Sequence, residues 1–352
     1  MARSQIHILA NWINLLIAIL MWITLFLTIA KAQNKTYSYA FIIRWNPVQE
    51  IVTVGYEDKI FLYNAYFELL DQINLNNEPT NEIITVNSFE WSPNGNRIAV
   101  SSVVERILST GATIREGFRH QVWNIQPLQL AVELPPDGNS TSVQAWDFAG
   151  DRFALTYRYS NLEQVVRIYD ATNGNLLEEF SPVKPAQITQ IAWHPQKNQI
   201  AVAVGNLMYF WDLQTEHVVG TIPNVAGDNG LVFSPTGDQI ASIGIQDRRL
   251  SNDISIWDTN TFQLIRTLTG HTEHAHRLAW GLHGLASAAY DETIRIWDVA
   301  TGETSRIINI ELIFDISWDV EGNYLLINDR TLGIAIMDVS NGEIIAQLRD
   351  FD

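Results

Sequence analysis

Four histidines lie close together in the last third of the sequence and form its densest group of metal-binding side chains. They are His271, His274, His276 and His283. Residues two apart on an extended strand point to the same side, so His274 and His276 could bind one metal ion. The chain contains no cysteine, and no obvious carboxylate ligand accompanies the pair. We therefore expect no metal and no other cofactor, and keep a small-ligand or metal-binding module as an alternative function.

A second combination of residues suggests hydrolysis. His271 and Asp291 are two of the residue types that form a serine-hydrolase triad. However, the sequence contains no G-x-S-x-G elbow, no phosphate-binding loop and no dinucleotide fingerprint. Calcium-binding loops of EF-hand spacing are also absent. We therefore expect no catalytic residue, and keep a hydrolase or lyase as a further alternative.

The elements that would position these side chains are β-strands joined by short turns. From Thr293 to Asp298, the side chains of Thr, Arg and Trp alternate with those of Ile, Ile and Asp, and such alternation is typical of a strand. Turns of the form Pro-x-Gly stand at 93–95 and 235–237. Proline fixes φ and glycine accepts a positive φ, so each segment favours a reversal between two strands.

Two sequence markers recur along the chain and alternate without exception. The first is an aromatic residue that often precedes a turn, at Trp45, Trp91, Trp146, Trp193, Phe233, Trp280 and Trp318. The second is an aromatic-acid pair or its remnant, beginning at Tyr63, Trp123, Tyr169, Trp211, Trp257, Trp297 and Met337. Their interval of about 44 residues matches one four-stranded propeller blade. We predict an all-β, seven-bladed β-propeller with four antiparallel strands per blade.

The sixth copy resembles a WD40 repeat. It opens with Gly270-His271, contains Ser287 and Asp291, and ends with Trp297-Asp298. The resemblance implies that His271, Ser287, Asp291 and Trp297 form a hydrogen-bonded tetrad inside one blade. Only this copy has the whole set, so we expect apolar packing to hold most of the other blades.

WD40 propellers commonly bind protein partners on the face near the G-H loop and the loop between the second and third strands. Aligning this chain with the family pattern places His274 and Tyr290 on that face. Equivalent offsets in the first copy give Tyr39 and Tyr56. The resemblance thus implies a partner-binding surface at these four residues, where aromatic side chains are suitable hot spots.

The charge of the chain limits its partners. Its 352 residues carry a net charge of −17, and charged residues make up only 17%. Binding to a phosphate backbone requires clustered lysine and arginine, so we expect no nucleic-acid partner. The absence of cysteine excludes disulfides and thiolate catalysis.

The N-terminal region differs in composition from the rest. Residues 1–32 contain an apolar run from Leu15 to Ala30, interrupted only by two threonines, followed by a small-x-small pattern at 30–32. As a helix this run spans about 24 Å, less than the ~30 Å hydrocarbon core. We predict an N-terminal hydrophobic helix that is either a cleaved signal peptide or a single transmembrane anchor. Either case exports residues 33–352, with membrane contact only through an uncleaved N-terminal segment.

Two further expectations concern the ring. The first copy begins with its own first strand near 40–45 and the last ends with its own fourth strand, so we expect no borrowed outer strand. The first and seventh blades must then close the ring by packing. We also expect two inserted loops, at 103–118 and 246–253.

These observations together predict a function. The protein is expected to be an exported, non-catalytic propeller that serves as a protein-protein interaction platform at the cell envelope. The alternatives are an envelope hydrolase or lyase with its active site in the axial funnel, and the small-ligand or metal-binding module.

Overall fold

A computed structural model describes residues 42–76, 81–137, 140–159, 163–225, 230–246, 249–330 and 332–348. Within these residues the chain forms seven four-stranded antiparallel sheets, each built from four strands that are consecutive in sequence. Within the range 40–352, the described residues form one compact unit. The prediction of a seven-bladed propeller with four strands per blade is confirmed.

The first strands of most blades line a central cavity, and the fourth strands lie outermost. The first three blades consist of β1 (Ile42–Trp45), β2 (Val52–Tyr56), β3 (Lys59–Tyr63) and β4 (Leu69–Asn74); β5 (Glu82–Trp91), β6 (Arg97–Ile107), β7 (Thr113–Ile125) and β8 (Leu128–Asp137); and β9 (Ser140–Trp146), β10 (Arg152–Arg158), β11 (Gln164–Asp170) and β12 (Leu176–Phe180).

The remaining four blades follow the same order. They consist of β13 (Ile188–Trp193), β14 (Gln199–Val204), β15 (Leu207–Asp212) and β16 (His217–Pro223); β17 (Leu231–Phe233), β18 (Gln239–Gln246), β19 (Arg249–Asp258) and β20 (Leu264–Leu268); β21 (Ala275–Gly281), β22 (Gly284–Ala289), β23 (Thr293–Trp297) and β24 (Thr304–Asn309); and β25 (Ile313–Trp318), β26 (Tyr324–Asp329), β27 (Gly333–Asp338) and β28 (Glu343–Leu348).

Side-chain alternation explains how the blades stack. Second strands are buried on both faces, as in β14, because a neighbouring blade covers each side of the sheet. Third strands such as β23 alternate between buried and half-buried residues. Fourth strands such as β4 expose most of their residues. The apolar core is therefore distributed between adjacent blades rather than collected in one centre.

The first and seventh blades close the ring by apolar packing, as expected. Ile43 and Trp45 of β1 lie in one buried cluster with Leu326 of β26 and Ile336 of β27. Four strands of the seventh blade, β25 to β28, all come from the end of the chain, so no strand from the first blade completes it among the described residues. Residues 33–39, which would have overturned this expectation by forming an outer strand, lie outside the described residues.

The prediction of two inserted loops is wrong, because most residues of both segments belong to β-strands. Most of residues 103–118 continue β6 and β7 in antiparallel register, leaving a short turn at 108–112. In the fifth blade, β18 continues to Gln246 and β19 begins at Arg249. In both blades cross-strand pairing satisfies the backbone, so the extra residues lengthen a hairpin instead of forming irregular loop.

The predicted N-terminal helix, residues 1–32, lies outside the described residues. Among the residues that the structure describes, no helix is both long and apolar enough to cross a membrane.

Candidate functional site

Four side chains of the sixth blade form a hydrogen-bonded chain. Trp297 Nε1 donates to Ser287 Oγ at 2.8 Å, and Ser287 Oγ lies 2.7 Å from His271 Nε2. His271 Nδ1 lies 2.9 Å from Asp291 Oδ2. Each residue comes from a different part of the blade: the loop before β21, then β22, the turn before β23, and β23 itself. The structure therefore brings together all four residues of the tetrad.

The direction of these bonds fixes the protonation of the histidine. Because the Asp291 carboxylate can only accept, the proton of the neutral His271 ring lies on Nδ1, and Nε2 accepts from the Ser287 hydroxyl, which itself accepts from Trp297. Burial lowers the pKa of His271, although Asp291 opposes this effect. The neutral ring donates from Nδ1 to a carboxylate, so the network is satisfied at every member.

Asp291 also fixes the backbone around the tetrad. Burial alone would raise the pKa of Asp291, but hydrogen bonds from Thr293, Thr272 and His271 lower it. Thr293 Oγ1 and the Thr272 amide donate at 2.6 and 2.9 Å. One ionised carboxylate thus holds the loop before β21 and the turn before β23 together.

The tetrad supports one face of the ring, called here the upper face: the turns between second and third strands and the loops that lead into first strands. In the sixth blade this face presents Tyr290, whose side chain is 63% exposed. The Tyr290 amide donates to the His274 carbonyl at 3.0 Å. The rings of Tyr290 and His276 lie 4.5 Å apart. An exposed aromatic side chain therefore rests on the half-buried ring of His276.

A comparison with known protein families finds a match for the segment that forms the tetrad. Residues 262–298 match the family model described as "WD domain, G-beta repeat". The sixth blade is similar to a WD40 repeat. The matched segment contains the whole tetrad.

Several WD40-type proteins are similar to longer parts of the chain. A chromatin assembly factor 1 subunit of Mus musculus is 32% identical over 30% of this chain and 22% of its own length. APC/C activator protein CDH1 of Saccharomyces cerevisiae is 25% identical over 48% and 30%, respectively. Protein transport protein sec13 of Emericella nidulans is 25% identical over 41% and 56%. The chain thus covers well under two thirds of each of these relatives.

A solved structure shows the same fold over most of the ring. A chain in the crystal structure of the mitotic checkpoint complex superposes with a TM-score of 0.68, covering 86% of this chain and 91% of that one. The two sequences are 14% identical, so the likeness concerns the fold alone.

Two other residues predicted for the partner-binding surface lie on the same face. Tyr56 ends β2 at the turn before β3, which corresponds to the turn that carries Tyr290. His274 precedes β21, and its Nδ1 lies 3.0 Å from Asn252 Oδ1 of the fifth blade. Tyr39 lies outside the described residues.

His274 and His276, which could bind one metal ion if they shared an extended strand, do not share one. β21 begins at Ala275, so His274 belongs to the preceding loop, and the register shifts between Ala275 and Arg277. Within the described ranges, no group of three or more histidine, aspartate or glutamate side chains is placed to hold a metal ion.

The axial cavity has a volume of about 800 Å³ and is lined mainly by first strands. Its wall carries the charges of Arg44, Glu90, Arg277 and Asp315. These groups contact each other: Arg44 forms ion pairs with Glu90 and Asp315, and Arg277 lies 3.6 Å from Asp315. These four groups direct their charges at one another, and the carboxylate of Asp319 also lines the cavity.

Two partial networks in other blades were missed from the sequence. Trp257 Nε1 donates to Ser242 Oγ at 3.0 Å in the fifth blade, which repeats one bond of the tetrad. In the second blade Ser101 Oγ lies 2.7 Å from His120 Nδ1. Hairpin extensions alter the spacing from these residues to the Trp-Asp markers, which hides them from a fixed-offset search. A serine at the fourth or fifth position of a second strand, as at Ser101, Ser242 and Ser287, is the signal that finds them.

Proposed function

We propose that the protein is an exported, non-catalytic β-propeller that binds a protein partner on its upper face at the cell envelope. The observation that carries the proposal is Tyr290, an aromatic side chain 63% exposed and adjacent to Asp291. Aromatic side chains often dominate the binding energy of protein interfaces, particularly when their surroundings hold them rigidly before binding. The tetrad supplies that rigidity, which lowers the entropy lost on binding.

The relatives support the same class of function. Their names describe a component of an assembly factor, an activator of the APC/C and a protein of protein transport. Each of these roles involves other proteins. The net charge of −17 supports a protein partner over a nucleic acid.

Export is the part of the proposal that rests on the sequence of residues 1–32. Their apolar run and small-x-small pattern are typical of a signal peptide or a single-span anchor. An intact mass that lacks residues 1–32 supports the signal peptide, and a full-length mass in the membrane fraction supports the anchor. A full-length product found only in the cytosolic fraction contradicts export.

Affinity purification of the full-length chain tests the binding face. One variant changes Tyr56, His274 and Tyr290 to alanine. A matched control changes Val48, Phe148 and Leu282, three exposed apolar residues in turns between first and second strands, called here the lower face. We expect a partner that copurifies with the native chain and the control but not with the upper-face variant. Loss from the control alone, or equal recovery from all three folded baits, contradicts the proposal.

A further inference from the structure

One guanidinium group connects three consecutive blades of the ring. Arg44 of β1 donates from Nη1 to Asp315 Oδ2 of the seventh blade at 2.6 Å. Its Nε and Nη2 donate to Glu90 Oε1 of the second blade at 3.0 and 2.8 Å. Burial alone would lower the pKa of Arg44, but the charges of Asp315 and Glu90 raise it above its ordinary value. The group is therefore a permanent cation fixed between two carboxylates.

The position of this contact is special because the first and seventh blades are not consecutive in sequence. Each of the other blade interfaces joins neighbours along the chain. Between the first and seventh blades, the described residues make only non-covalent contacts: the apolar cluster around Ile43 and Leu326, the Arg44 bond, and two bonds from backbone amides to Asp315 and Ser317. Separating this interface requires no chain connection to stretch.

The buried partner makes the contact hard to replace. Asp315 is 5% exposed and also accepts from the Ile43 amide at 3.3 Å and from its neighbour Ile316 at 3.1 Å. The other nearby cation, Arg277 of the sixth blade, lies farther away, with its Nε 3.6 Å from Asp315 Oδ1. Without Arg44, the Asp315 carboxylate would stay buried but lose its closest counter-charge. Removing one partner of a buried ion pair destabilises a protein strongly because it leaves an unpaired buried charge.

We propose that Arg44 is the clasp that keeps the ring closed, and that the ring opens first between the first and seventh blades. Opening separates β1 from β25 while the other five blades keep their structure. This conformational device is independent of partner binding on the upper face, so the proposal stands or fails separately from the proposed function.

Native-state hydrogen exchange on the full-length chain, resolved by peptide, tests the clasp. Arg44→Met is expected to accelerate exchange at amides of β1 and β25 about 100-fold, with β14 and β15 unchanged. Arg44→Lys keeps the charge but not the planar fork, so it gives a smaller acceleration. The control is Arg167→Met, which removes a guanidinium that bonds Glu179 at 2.7 Å within the third blade alone.

A double variant separates the clasp from a general loss of packing. Asp315→Asn removes the buried charge, so adding it to Arg44→Met restores part of the protection lost in the single variant. The proposal is overturned by uniform acceleration in all blades, by unchanged exchange of β1 and β25 in Arg44→Met, or by the same regional effect in Arg167→Met. The proposal is also overturned if Arg44→Met and Asp315→Asn have strictly additive effects on the amide exchange of β1 and β25.

Discussion

At the scale of single residues, the carboxylate of Asp291 is the most consequential group of the sixth blade. It accepts hydrogen bonds from a histidine ring, a hydroxyl and two backbone amides. A buried network of this kind stabilises only when it is complete, because each donor left without an acceptor loses its hydration as well as its bond. The network also positions the exposed ring of Tyr290 next to it.

Asp291→Ala is expected to lower the free energy of unfolding by about 2–4 kcal/mol, because it leaves the buried His271 donor unpaired. Asp298→Ala in the same blade is the matched control. Asp298 is exposed and accepts from the Ala300 and Thr301 amides, which water can replace, so its loss costs about 1 kcal/mol or less. Urea unfolding measures both. Equal losses in the two variants contradict a special role of the tetrad.

Burial of His120 predicts a pH dependence of stability. Burial lowers the pKa of His120 from 6.5 to about 4. Because the folded pKa is the lower one, the unfolded chain binds the proton more readily below pH 6.5. The contribution of His120 to the free energy of unfolding is therefore fully present above pH 6.5. It falls as the pH decreases toward 4, by about 1.4 kcal/mol per pH unit.

The contribution of His120 is measured as the difference in unfolding free energy between pH 7 and pH 5. His120→Gln is less stable at pH 7 because the bond to Ser101 is altered, but we expect it to lose less on acidification than the native chain. An unchanged difference between the two pH values in this variant would show that the histidine is not the titrating group.

At the scale of elements, the turns between first and second strands depend on glycine where two blades meet. Gly95 has φ +70°, and a Cβ there would lie 2.5 Å from Oδ1 of Asn46, a buried residue of the neighbouring blade. Asn46 Nδ2 in turn donates to the Gly95 carbonyl at 2.8 Å. The glycine therefore permits both the turn and the contact between the blades.

Gly95→Ala is expected to cost about 2–3 kcal/mol, because it combines an unfavourable φ with displacement of Asn46. Gly205→Ala provides the control. Gly205 has φ +62°, but a Cβ added there would meet no atom within 4 Å, so only the backbone strain of about 1 kcal/mol applies. Thermal unfolding of both variants distinguishes the two contributions, and a larger loss at Gly205 would contradict the role of Asn46.

The sequence predicts the elements well where the signal is local. The alternating markers, such as Trp91 and Trp123, fall at the ends of first and third strands because aromatic side chains pack between blades. The hairpin extension of the second blade was not predictable as strand. Glu105 and Arg106 resemble loop residues in sequence, but in the structure they pair with Arg115 and Ile114 across the ribbon.

Long-range contacts explain what else the sequence left open. Arg44 and Asp315 are separated by 271 positions, and nothing in either local segment indicates the other. The tetrad, by contrast, was found because its members keep the spacing of a WD40 repeat. The sequence thus indicates the hydrogen-bonded tetrad within one blade, whereas the partner-binding residues stay a prediction and contacts between blades leave no local signal.

At the scale of the whole molecule, the ring is a rigid support with two faces of different construction. On the upper face, a network of buried hydrogen bonds underlies an exposed aromatic ring. On the lower face of the same blade, the exposed Leu282 stands in the short turn between β21 and β22, and no tetrad residue lies in that turn. We propose that a protein partner binds the upper face, and a crosslink formed at an exposed residue of this face tests that binding most directly.

The decisive measurement is photocrosslinking in the native host. A photoreactive phenylalanine analogue replaces Tyr290 in the full-length chain, and the same analogue replaces Leu282, which has nearly the same exposure, 62% against 63%. We predict a discrete protein adduct at position 290 and none at position 282. An adduct at position 282 alone, or no adduct at either position, would contradict binding on the upper face.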